Sequence, residues 1–254
     1  MKNVFLALAF VVFFTDMLLG QVAGGTYEKL AKLYNQGKYE SCLFKADKYT
    51  YDEESSIDAE PYLYVAMCFY QLSISEDPVL REDYKDGFKQ AIKYATKFIK
   101  KDKEGELYEQ NFDFINILKD ELKKEIKAQF DKGDYRKVAT TAKLFDKLNR
   151  KEDILLLYYI GMNEMMSNNV SQGSRDLDDA KSKLDEMLNA KTFQTDAASK
   201  SLAIDGFLKY SEFLINQNQL KEAADLLNYG LKLFPNDGYL KVQFNVVNQK
   251  ANSK

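Results

Sequence analysis

Few side chains in this chain have the type and spacing to do chemistry. There is no histidine. The usual general base near neutral pH and the commonest metal ligand are therefore missing, and Ser-His-Asp or Cys-His nucleophilic arrangements are excluded. Two cysteines, Cys42 and Cys68, allow either a possible disulfide in an oxidising compartment or two small buried side chains in helix packing. Carboxylates cluster at Asp52-Glu53-Glu54 and from Asp176 to Asp179. Neither run has the alternating oxygen ligands, sharp-turn glycine and distal glutamate of a calcium loop. Acidic residues at solvated helix N-termini account for both. A paired-carboxylate enzyme needs two acids facing each other across a cleft, and no pair stands out. The reading is a non-enzyme with no cofactor and no metal site. Asn169-Val170-Ser171 is a formal glycosylation sequon.

The net charge of −3 argues against a nucleic-acid partner. It also leaves no basic patch for an anionic lipid surface. Apolar residues make up 45% and charged residues 30% of the 254 positions, enough for a core and for solvated helix faces. The three prolines, Pro61, Pro78 and Pro235, interrupt no apolar-periodic stretch, so long helices are permitted.

The N-terminus begins with Lys2 and a continuous apolar run from Val4 to Phe14. That length suits the h-region of a signal peptide and is too short to span a bilayer. Gly20 offers a small residue before a cut ahead of Gln21. The expected organisation is a signal peptide over 1–20, a short linker over 21–25 and one helical domain over 26–254. The mature chain is then soluble and periplasmic or secreted, touching a membrane only through a partner.

Two segments repeat: Tyr34-Asn35-Gln36-Gly37-Lys38-Tyr39 and Phe130-Asp131-Lys132-Gly133-Asp134-Tyr135. Each joins two helical patterns through a Gly-x-Tyr turn, with glycine free to take the left-handed conformation that ends a helix. Asn216-Gln217-Asn218-Gln219-Leu220 is a third version with asparagine at the cap. It runs on through Ala223, Ala224 and Leu231 to Pro235 and Asn236. Here the chain resembles the tetratricopeptide repeat family. That family pairs a small residue on one helix with a small residue on the next, here Ser211 and Ala223, and ends the second helix with proline. Equivalent first-helix positions fall at Leu30, Ala66, Ile126, Gly161 and Ser211. Two of the four spacings match the family period of about 34 residues, and two need insertions. The insertions are placed at Ser73 to Asp83 and in a loop from Ser167 to Ser174, and an extended first helix runs from about Glu106 to Phe130.

The resemblance implies an all-α, right-handed superhelical array of about five antiparallel helix pairs. A C-terminal capping helix over Gly238 to Gln249 closes it. It also implies a concave groove lined by the first helix of each pair. Threading places Tyr27, Ala31 and Tyr34 there, then Leu63, Met67 and Tyr70, then Lys123, Lys127 and Phe130. Leu155, Tyr158, Met162 and Met165 follow, and finally Asp205, Leu208 and Glu212. Tyrosine supplies contact area with a polar tip and methionine adapts to irregular partners, which suits an extended peptide or partner helix. Family members that clamp a C-terminal carboxylate use lysines and asparagines in the groove. Tyr27 and Ala31 occupy the first-unit positions and cannot do so. The expected function is a scaffold or adaptor of the cell envelope, of the kind that holds outer-membrane assembly or secretion machinery together. The alternative is a glycan-binding accessory protein whose tyrosines stack on sugar rings, in a chain without tryptophan.

Overall fold

The structure is a computed structural model that describes residues 26–252. The signal-peptide run and the linker lie outside the described residues. Among those residues there are thirteen α-helices and one short 3-10 turn, with no strand. The first half comprises α1 (Glu28–Asn35), α2 (Tyr39–Tyr51), α3 (Glu60–Ser73), α4 (Pro78–Asp83), α5 (Gly87–Lys101) and α6 (Glu106–Gln110). The second comprises α7 (Phe112–Asp131), α8 (Tyr135–Asp146), α9 (Ile154–Met166), α10 (Val170–Asn189), α11 (Ala197–Asn216), α12 (Leu220–Leu233) and α13 (Gly238–Asn252). No described helix is long and apolar enough to cross a membrane.

One turn is used five times among the described residues, once at Lys191 after α10 (φ 57°, Thr192 N–H donating to Met187 O at 2.9 Å) and four times at glycine or asparagine. Gly37, Gly133, Asn168 and Asn218 take φ of 70°, 72°, 64° and 61°, the left-handed region open to glycine and tolerated by asparagine. In each of these four, the following residue donates its N–H five residues back: Lys38 to Leu33 O, Asp134 to Gln129 O, Asn169 to Glu164 O, Gln219 to Leu214 O, all at 2.9–3.0 Å. These bonds satisfy carbonyls that the end of a helix leaves without partners. The turn at Asn168, after α9, corrects the loop expected from Ser167 to Ser174. Its serine and asparagines cap a helix end, and α10 begins at Val170. The segment Ser73 to Asp83 is partly helical, because Asp77 accepts from Val79 N at 2.8 Å and starts α4. The long helix expected from Glu106 is broken at Asn111. This residue leaves helical geometry at φ −117° and folds its side chain back to Leu107 O at 2.8 Å.

Most helices neighbouring in sequence pack on one another: α1 on α2, α2 on α3, α3 on α5, then α7 on α8, α8 on α9 and α9 on α10, while α11 packs on α9 and α12, and α12 on α13. One apolar core runs from Leu30 to Val247. One of its close approaches is between α9 and α10. A Cβ on Gly161 would lie 2.9 Å from Leu177 Cγ, and one on Gly173 would lie 2.8 Å from Met165. Ser211 and Ala223, the expected small pair, are both fully buried on α11 and α12. The capping helix is present as α13. Its outer side carries exposed Tyr239, Val242 and Val246 in place of the polar face usual for a terminal repeat.

The passage from α5 to α7 is held by long-range bonds. Arg150, before α9, donates to the carbonyls of Glu104 at 3.0 Å and Lys103 at 2.7 Å. Its guanidinium fills the space over Gly105, where a Cβ would sit 1.3 Å from it. Tyr108 Oη donates to Leu148 O at 3.1 Å, and the Tyr70 ring meets Phe114 edge-on at 6.1 Å. Cys42 and Cys68 are free and buried, so the bridge the sequence allowed is not formed here. Both sulfurs sit in the helix packing of α2 and α3.

Candidate partner-binding groove

Two helices expected to offer an open inner face do not. From Glu60 to Cys68 every residue of α3 is buried, and α9 is buried at most positions from Leu155 to Met166. A helix wrapped on all sides has no polar stripe to reveal which face is free. Leu63 and Met162 are therefore fully buried and Tyr34, Met67 and Tyr158 nearly so, which removes all five from the groove. Tyr34 packs against Tyr39 and Tyr64. Tyr158 lies between Phe207 and Tyr229, with ring centroids at 5.4 and 5.5 Å. Tyr27 is half-buried and tied into the fold, its hydroxyl donating to Asp58 at 2.6 Å. Met165 is half-buried against α10, where Ser174 Oγ reaches its sulfur at 3.7 Å.

The remaining candidates form two places. Tyr70 lines a cleft of about 540 Å³ with Ile74, Phe88, Lys85, Glu121 and Lys124, between α3, the start of α5 and α7. Burial raises the Tyr70 phenol, and the Glu121 carboxylate adds to that. Ile74 is 53% exposed there. Sequence reading passed over Ile74 and Phe88 because they fall at the edges of the Ser73 to Asp83 insertion.

The second place joins α7 and α11 across α9. Lys123, Lys127 and Asp131 on α7 repeat at helical spacing, as do Asp205, Leu208 and Glu212 on α11. Burial raises the Asp205 carboxyl; Lys127 and Lys123 lower it, and Asp131 raises it. These charges thus lie within electrostatic reach of one another. Between the two helices the Phe130 ring meets Tyr159 at 6.3 Å and Tyr135 at 6.0 Å, and the Tyr159 hydroxyl feels Asp205. Lys209 pairs with Glu212 at 2.9 Å, which raises its ammonium. Lys127 and Glu212 are exposed, while Phe130 and Leu208 are half-buried. Lys209 and Tyr159 were not singled out from sequence. Lys209 sits four residues past Asp205, a signal that was present. Tyr159 adjoins Tyr158, and the all-round apolar α9 does not say which of the two faces in.

A third charged cluster is structural. Lys119 lies over the Phe112 and Phe145 rings. Burial lowers its ammonium, against the pull of Asp196, Asp153 and Asp146. Asp153 and Asp196 are spent as N-caps, accepting from Leu156 N at 3.0 Å and Ser199 N at 2.8 Å. Their cation neutralises the join between α9 and α11. Among the described residues no group of three or more carboxylates and thiols is placed to hold a metal ion.

The outer faces of α7 and α11 offer exposed charges, Lys127 on one and Glu212 on the other, with the half-buried Phe130 and Leu208 beside them, which is recognition chemistry; Tyr159 is buried beneath Phe130 and offers no open face. Comparison with models of known protein families gives no match. Comparison with curated proteins also gives none.

Proposed function

We propose that this chain is a non-catalytic protein-binding scaffold of the cell envelope, exported by its N-terminal segment and gripping a partner segment in the groove of α7, α9 and α11. The observation that carries the reading is the approach of opposite charges from two first helices, Lys123 and Lys127 on α7 within electrostatic reach of Asp205 on α11, beside the half-buried Phe130. First helices form the concave side in a tetratricopeptide-like right-handed superhelix. The recurrent turns and the sequential packing support that arrangement. A partner of this groove belongs to an outer-membrane assembly or secretion complex.

The test places a photo-crosslinking residue at Lys127 or Leu208 in cells carrying the full chain, with a control at Lys48 on α2. One partner captured from both groove positions, absent from Lys48 and lost when Lys123 and Asp205 are charge-reversed, is the expected result. Adducts at Lys48 but at neither groove position would refute the groove. Solution scattering tests the superhelix separately, since a curved array is longer than a compact bundle of equal mass.

A further inference from the structure

The first and second helix pairs meet through α2 and α3, and each of these two packed helices buries one cysteine. Cys42 and Cys68 have no exposed surface and belong to one continuous core. The Cys42 thiol donates to Leu30 O on α1 at 3.5 Å. The Cys42 side chain lies beside Cys68 and, after burial, helps to raise its thiol. Tyr34 and Tyr64 feel both cysteines, and Tyr39 feels Cys68. The pair therefore sits in a pocket of three tyrosines, with the Tyr64 hydroxyl buried and unpartnered beside it. A disulfide of about 2.05 Å needs Cα atoms within roughly 7 Å, a separation that neighbouring residues on two packed helices can meet. The two helices already pack on one another.

We propose that Cys42 and Cys68 are an oxidative cross-linking site that joins α2 covalently to α3, closed by thiol–disulfide exchange with a small disulfide while the chain folds. One cysteine thiolate attacks the disulfide and displaces one equivalent of the small thiol, leaving a mixed disulfide on the protein. The second thiolate attacks that protein sulfur, displaces the second equivalent and forms the Cys42–Cys68 bond. Two protons leave the protein thiols and two molecules of small thiol form, so the protein loses two electrons and the small disulfide gains them. The timing follows from burial. No reagent reaches either sulfur in the packed core, and burial pushes the Cys68 thiol well up, so little of the reactive thiolate forms. Exchange is fast while the helices are open and slow once they have packed. The redox state met during folding is thus locked in. This inference does not depend on the groove or on what it binds.

The experiment refolds the mature chain from denaturant in a buffer of reduced and oxidised glutathione. It then denatures, alkylates free thiols and weighs the intact protein. The expected result is a monomer that takes up no alkyl group until reduced. Its thermal midpoint is higher than that of the reduced protein by on the order of 5–10 °C, as befits closure of a loop of this length. The folded, reduced protein in the same buffer forms the bond at least about a thousandfold more slowly than the unfolded chain. Cys42→Ser and Cys68→Ser each end as a glutathione mixed disulfide or a free thiol with no midpoint gain. Two alkylatable thiols after oxidative refolding of the unaltered chain would overturn the proposal, and that measurement needs no variant to fold. A stable glutathione adduct on the unaltered chain, or a disulfide-linked dimer, would overturn it equally, since either shows that the two sulfurs do not meet.

Discussion

Replacing Gly161 by alanine probes a close helix contact, that of α9 with α10. The new Cβ would stand 2.9 Å from Leu177 Cγ, 3.1 Å from its Cδ2 and 3.0 Å from its backbone nitrogen. The leucine side chain can swing aside, but the backbone nitrogen of α10 cannot. The two helices must then part by a few tenths of an ångström along a seam where Gly173 is pressed on Met165 in the same way. Overpacking of this kind costs about 1–3 kcal/mol, while alanine returns roughly 1 kcal/mol of helix propensity. At the middle of that range the net is a loss of about 1 kcal/mol. Gly238→Ala is the control: it adds the same methyl group in a helix where nothing lies within 4 Å, and gains about 0.5–1 kcal/mol. Urea denaturation followed by circular dichroism reads both. With a slope of about 3 kcal/mol/M, Gly161→Ala lowers the midpoint by about 0.3 M and Gly238→Ala raises it. A Gly161→Ala protein as stable as the unaltered chain would show that α9 and α10 are not in the contact described.

Glu164→Gln removes a nearly buried carboxylate that takes hydrogen bonds from Lys143 and, at 2.7 Å, from Asn169, and destabilises by roughly 1–2 kcal/mol in the same urea assay. The carboxyl pays a desolvation cost by burial, and those partners more than offset it, so its folded value is lowered. Its contribution is therefore complete above the unfolded carboxyl range and fades as pH falls through the lowered folded value. The gap between the Glu164→Gln protein and the unaltered chain should be constant from pH 7 to 5 and shrink below about pH 4. Asp153→Ala loses the cap on Leu156 N and the bond from Ser199 Oγ that ties α11 to α9, costing about 1–2 kcal/mol. Hydrogen exchange should show the start of α9 opening first. Tyr62→Phe deletes a hydroxyl bonded to Thr50 O and Ser56 O, both at 3.1 Å. It costs about 1 kcal/mol, read as a lower thermal midpoint.

What the sequence disclosed follows from what local chemistry decides. The turns at Gly37, Gly133 and Asn218 were legible because a left-handed position favours glycine or asparagine whatever surrounds it. Asn168 obeys the same rule, yet it sits in a run of polar residues that reads as loop, so its cap went unseen. On α7 and α11 charged residues recur among the apolar ones, and Lys127, Phe130, Leu208 and Glu212 are exposed or half-buried in the fold. On α3 and α9 apolar residues encircle the helix, and threading by spacing put core residues such as Leu63 and Met162 into the groove. The Arg150 bonds join residues 46–48 apart in sequence. Only the packed chain brings that guanidinium to those carbonyls.

The join between α5 and α7 also has a mechanical meaning. On either side of it, helices lock through full-length packing, whereas across it the described ties are an arginine on loop carbonyls, one phenol bond and one ring edge. Compliance in a beam concentrates where the section is weakest. Under tension or twist, curvature should change at this join while the blocks before and after it keep their shape. Arg150 then acts as the check-rein that limits the travel. The carbonyls it grips carry no net charge, so added salt should slacken that rein far less than it would an ion pair.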